Sequence, residues 1–242
     1  MTSIKGEKVS GSKNLEVMEE ALNYNDFLLR QVREAMTGCE CICDFGAGRS
    51  TFALPLSNLG YKVVCVEPEP GQRSALIAAG LEAHPSLAAV PPNSLDGIYA
   101  LNVLEHIEDD CGTLEVMHDR LREGGRLYIY VPAFQVLFSA MDHRVGHLRR
   151  YRLGELVDKC RRASFTVEKS GYCDSLGFFA SLVYKAVGPN DGTINRRSLA
   201  FYDRYCFPLS RGLDMLAGSL FGKNAWLLAR RSGLRSGVTD GS

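Results

Sequence analysis

The chain has 242 residues, with 28 acidic and 28 basic side chains and an isoelectric point near 6.9. This balance excludes a global field for nucleic acid or an anionic membrane, and the length suffices for a buried core without covalent staples. Eight cysteines lack the paired spacing of a zinc site, so no metal is expected, and a reducing cytoplasm suits them.

The polar stretch 1–13 reads as a flexible tail without the apolar core of a signal peptide. Asn14 is a cap for a helix to about Met36, whose apolar stripe runs through Leu15, Met18, Leu22, Leu29 and Val32, with Gly38 behind it. Tyr24, between Asn23 and Asn25, reads either as the border of a solvated face or as a ligand contact. Glu40 to Asp44 is a first strand, on which Cys39, Cys41 and Cys43 would share one face. It turns through Gly46, Ala47 and Gly48 into a helix from Ser50 to Leu59 that Pro55 should shorten or bend.

Residues 61–66 form a buried second strand ending at Glu67 and Pro68, followed by a helix from Pro70 to Ala79. Leu81 to His84 is a weak third strand. Leu95 to Leu101 is a fourth, running into Asn102-Val103-Leu104-Glu105-His106-Ile107. A helix over 113–122, the turn Gly124-Gly125 and a fifth strand over 126–131 come next. Helix returns over 153–162, a sixth strand over 165–171, apolar helices over 178–187 and 199–220, and a last strand over 225–229.

Strands alternating with helices predict a Rossmann-like, doubly wound α/β fold. Its sheet should be mostly parallel and seven-stranded, with helices on both faces and a last antiparallel strand, over a single domain of residues 14–231. Residues 133–151 and 172–224 break the rhythm and read as segments on the substrate side, and 232–242 as a second tail. The longest apolar run, Leu176 to Tyr184, falls far short of the ~20 residues of a spanning helix. Peripheral membrane contact stays open, and the oligomeric state is not indicated.

In such sheets ligands lie at the carboxyl ends of the strands. Glycines let a ligand approach the backbone, and the acid before them suits an ammonium group better than a pyrophosphate. Glu67, about 20 residues after the turn, stands where a carboxylate accepts both hydroxyls of a ribose.

With Asp44-Phe45-Gly46-Ala47-Gly48, Glu67, the stretch from Asn102 to Ile107, Gly124-Gly125 and Gly146-His147-Leu148-Arg149-Arg150-Tyr151, the chain resembles the class I S-adenosylmethionine-dependent methyltransferases. The likeness is to small bacterial enzymes with a type 11 or 12 methyltransferase domain, over about residues 15–231. The resemblance implies S-adenosyl-L-methionine as cofactor, with Asp44, Gly46, Ala47 and Gly48 at its methionine part and Glu67 and Pro68 at the ribose. It implies the adenine near His84 to Leu87 and Asn102 and Val103 below the sulfonium. Tyr24 and His106 are further candidates, His106 reading equally as a turn cap.

The cluster from Asp142 to Tyr151 suggests substrate contacts for Arg149, Arg150 and Tyr151, against the plain reading of a solvated, charged flank. His147 or His143 is a candidate base. The implied activity is methyl transfer to an oxygen or nitrogen nucleophile of a small-molecule, sugar or lipid-linked acceptor. Two rivals remain: a partner protein that binds the cofactor without chemistry, and a nicotinamide oxidoreductase, which the Thr51 in place of a third glycine disfavours.

Overall fold

The computed structural model describes Met18 and residues 20–233. The expected tail over 1–13, the Asn14 cap and all of 232–242 beyond Gly233 lie outside the described residues. Strands β1 (Cys41–Phe45), β2 (Lys62–Val66), β3 (Glu82–His84), β4 (Leu95–Leu101), β5 (Leu121–Pro132), β6 (Phe165–Cys173) and β7 (Asn224–Arg231) form one sheet in the order β3-β2-β1-β4-β5-β7-β6. The first five run parallel, and β7 is antiparallel to both β5 and β6.

The helices are α1 (Leu22–Ala35), α2 (Ala53–Asn58), α3 (Pro70–Ala78), α4 (Asp110–Arg120), α5 (Ala140–Val145), α6 (Leu153–Arg162), α7 (Ser175–Val187), α8 (Arg196–Phe201) and α9 (Phe207–Ala217). Strand alternation sorts the core into two layers. Leu127, Ile129 and Val131 of β5 pack with Leu114 and Met117 of α4 and Leu156 of α6. Tyr128 and Tyr130, on the other face, pack with Phe27, Leu28 and Val32 of α1, Leu56 of α2, Leu76 of α3 and Phe207 of α9. Strand order reverses between β1 and β4, so the crevice opens beyond their carboxyl ends.

Local chemistry accounts for the departures from expectation. Asp109 accepts from the Gly112 N–H and starts α4 earlier than the predicted Thr113. Pro55 falls in the first turn of α2, where its missing N–H costs nothing, and the helix stays one and a half turns long. Cys39 lies before β1 and packs against the opposite layer from Cys41 and Cys43, because strand alternation does not reach back into the turn. The predicted helix over 199–220 is interrupted by a π-turn at Tyr202–Cys206. That turn buries Asp203, which accepts from the backbone N–H groups of Asn23 and Tyr24 and so caps α1 from 180 residues away.

Candidate functional site

The glycine turn is built against β2. Both the Gly46 and Ala47 N–H groups donate to the Val66 carbonyl, at 2.9 and 3.2 Å. Gly46 has φ +83°, and a Cβ there would meet the Val103 side chain at 2.5 Å, so this position admits only glycine. The Gly48 N–H, 2.9 Å from Glu67 Oε2, ties the turn to the end of β2, and the Glu69 N–H donates to Glu67 Oε1 at 2.9 Å. Each oxygen keeps a lone pair for a further donor. Pro68 continues this rim, its carbonyl accepting from Arg73.

Asp44, next to last in β1, is 4% exposed, and its Oδ2 has no hydrogen-bond partner. Burial pushes its pKa up to about 7; the nearby Tyr99 hydroxyl opposes the rise and the Glu67 charge adds to it. Across the crevice, Asn102 takes the left-handed conformation, φ +54°, with its N–H on the Tyr130 carbonyl at 2.8 Å. Asparagine tolerates this backbone better than other non-glycine residues. Tyr24 reaches over from α1 with its hydroxyl among the Asn102 and Tyr130 side chains, and burial drives its pKa upward. The structure thus brings Tyr24, Asp44, Gly46, Asn102 and Val103 around one crevice.

A second cluster lies beside it, after β4 and β5. Asp142 is fully buried at the N-terminus of α5, closing a capping box with Ser139. It holds Arg150 through Nε at 2.9 Å and Nη2 at 3.0 Å, and His147 Nδ1 at 2.7 Å. Burial alone would raise its pKa, but these bonds outweigh it and hold the carboxylate well below its usual range. His106 places Nδ1 3.1 Å from the Gly146 carbonyl and sets its ring edge-on to His147. Desolvation and the His147 ring hold its pKa below the ordinary imidazole value.

Of the three residues expected to contact substrate, Arg150 and Tyr151 are buried. Arg150 is 5% exposed and consumed by Asp142 and the Ala133 carbonyl. Tyr151 is fully buried, its hydroxyl donating toward Asp110 Oδ2 at 2.7 Å with the Leu104 carbonyl at 3.1 Å. Both brace the loop, because a buried guanidinium or phenol needs an internal partner. Arg149 pairs with Asp110 and the Glu108 carbonyl yet keeps part of its surface exposed. His143 is exposed and packs on Phe138, whereas His147 is the histidine that a carboxylate orients.

Sequence reasoning passed over Glu105. Its side chain is completely buried, neither oxygen has a partner, and burial pushes its pKa up to about 8 against the field of Arg150. An acid inside an apolar Val-Leu-x-His-Ile run was the available signal. The unpartnered Oδ2 of Asp44 and the free lone pairs of Glu67 fit a ligand that carries an ammonium group and a ribose diol.

A family described as methyltransferase domain matches residues 17–170. Comparison with curated proteins finds no match. Among solved structures, an S-adenosylmethionine-dependent methyltransferase from Archaeoglobus fulgidus is similar at TM-score 0.56 and 16% identity, over 85% of this chain and 94% of that one. The 1,6-didemethyltoxoflavin-N1-methyltransferase of Burkholderia thailandensis, bound to 1,6-didemethyltoxoflavin and S-adenosylhomocysteine, is similar at TM-score 0.57 and 17% identity, over 91% and 82%. The [4+2]-cyclase SpnF shares the fold at TM-score 0.57 and 16% identity, over 86% and 81%. At these identities the likeness concerns the fold.

Proposed function

Because the chain belongs to the family of methyltransferase domains and S-adenosylmethionine is its cofactor, we propose that it transfers a methyl group to an oxygen or nitrogen nucleophile of a lipid-linked polar acceptor. In this reading Asp44 holds the cofactor's ammonium group, the backbone of Gly46, Ala47 and Gly48 packs against its methionine part, and Glu67 accepts the ribose hydroxyls beside Pro68. Asn102, Val103 and Tyr24 line the sulfonium end, with His106 at its margin. The cofactor, when bound, supplies an activated methyl group. The chain's own task is to align the acceptor, exclude water and receive one proton, for which His147, turned by Asp142, is better held than His143.

One observation carries the acceptor class. On α7, Phe179, Val183 and Val187 form an exposed apolar stripe, and Phe201, Tyr205, Leu209, Leu213, Leu216 and Leu220 form a second one along α8, the π-turn, α9 and the turn beyond it. Lys185, Arg197 and Arg204 are exposed on the same cover, beside Arg196, which pairs with Glu20, although the chain as a whole is neutral. The cover also touches the acceptor side directly, through Phe178 on Phe134 and Lys185 Nζ on the Val136 carbonyl. An apolar face with a basic fringe suits an acceptor presented at an anionic lipid surface, though no helix among the described residues is long and apolar enough to cross a membrane.

The test is incubation with methyl-labelled cofactor and fractionated cell extract. Label should pass into the organic-soluble fraction. Label confined to water-soluble products would overturn the lipid-linked acceptor, and cofactor binding without transfer to any fraction would favour the binding-partner reading.

A further inference from the structure

Glu105, His106 and His147 offer one carboxylate oxygen and two ring nitrogens that all lie within 4.8 Å of one another. We propose that these three side chains bind a divalent first-row transition-metal ion, of the zinc, cobalt or manganese class, with coordination positions open toward the acceptor.

Four features of the cluster converge on this. The Glu105 carboxylate is wholly buried, and both its oxygens lack a hydrogen-bond partner, which is an unfavourable state for a group that an ion would satisfy. Arg150 gives its hydrogen bonds to Asp142 and the Ala133 carbonyl and none to Glu105. Each histidine has its Nδ1 fixed by an acceptor, Asp142 Oδ1 for His147 and the Gly146 carbonyl for His106. With the proton on Nδ1, Nε2 carries the lone pair. This is the outer-shell arrangement that orients imidazole ligands.

The spacing also suits an ion. His147 Nε2 lies 3.7 Å from Glu105 Oε1. Two ligands at ~2.1 Å on one ion stand about 3.0–3.5 Å apart, so a small ring rotation brings this pair to that spacing. Two imidazoles and one carboxylate select first-row transition metals over magnesium or calcium, which prefer all-oxygen shells.

Binding of the ion stands apart from methyl transfer; only its role toward the acceptor rests on that reading. A hydroxyl held on the ion loses its proton to solvent more readily. The new O–CH3 bond then forms as the S–CH3 bond breaks, with the bonding pair left on sulfur. An ion on Nε2 takes His147 out of use as a base, so the two roles are separable.

The test is titration of chelator-treated, full-length protein with Co2+, followed by calorimetry and by the visible absorption of the bound ion. One site per chain is expected. Glu105→Gln, His147→Gln and His106→Gln should each weaken it at least tenfold, and His143→Gln should leave it unchanged. His106 is exposed, so its variant tests the site even if Glu105→Gln does not fold. No Co2+ binding by the native chain, or binding that all three substitutions leave intact, would overturn the proposal. Co2+ bound at this site in a protein that transfers no methyl group would count against the methyl-transfer reading and leave the metal site standing.

Discussion

The two flanks of the crevice treat their buried acids in opposite ways. On the cofactor side, Asp44 is left with an unpartnered oxygen and Glu67 with spare lone pairs. On the acceptor side, nearly every buried acid is spent on holding the chain together. Asp142 binds Arg150, His147 and Ser139; Asp174 caps α7 and takes the Tyr202 hydroxyl; Asp203 caps α1; Asp214 binds the N–H groups of Asp174 and Ser175. A satisfied buried acid is scaffold, and an unsatisfied one marks a place for a ligand. Glu105 breaks the pattern of its own flank, which is why it attracts a functional assignment.

The sharpest way to break this contrast is to remove an acid from each side. Asp142→Ala leaves the Arg150 guanidinium buried without its partner, and should cost about 3–5 kcal/mol of folding stability in urea denaturation. A cost below about 1 kcal/mol would show that the acceptor-side acids are not braces. Glu67→Ala should instead act on binding, weakening S-adenosylhomocysteine by about 2 kcal/mol, roughly thirtyfold, in calorimetry. Unchanged affinity would remove Glu67 as the ribose anchor and blur the distinction between the flanks.

The cofactor flank was legible in the sequence because its logic is local and periodic. An apolar strand, an acid, two glycines and a second strand closed by Glu67 fix the turn within about 25 residues. Strand β4 and helix α6 appear with their predicted bounds, since an apolar run broken only at Asp96 and Gly97 and a clear helical stripe leave little freedom. The acceptor flank depends on pairings that no window reveals. Nothing near Asp203 signals that it caps α1, and nothing near Arg150 signals that its charge is cancelled eight residues upstream by Asp142. Composition made 142–151 look like a cationic rim, whereas burial of Arg150 and Tyr151 depends on how the loop after β5 folds back over α5. The left-handed Phe134 and Asp174 carry no sequence signal either, being held by the packing of Phe134 on Tyr172 and Phe178 and by the bonds to Asp174.

The finest test of the contrast is the proton on Asp44. Its raised pKa, about 7, means that the folded, ligand-free chain holds this proton more tightly than the unfolded chain, where an aspartate titrates near 3.9. Stability from this group is therefore present at low pH and is lost as pH rises from about 4 to 7, at about 1.4 kcal/mol per unit. Asp44→Asn should abolish that slope. Ligand binding runs the other way, because an ammonium group beside Asp44 favours the carboxylate, so binding below pH 7 must expel a proton. Affinity for S-adenosylhomocysteine should fall about fivefold between pH 7 and pH 6 and change little between pH 7.5 and pH 8. Calorimetry in buffers of different ionisation enthalpy would count the proton directly: close to one released at pH 6, close to none at pH 8. A flat profile would mean that Asp44 is already satisfied in the free protein. The difference between the two flanks would then rest on Glu67 alone.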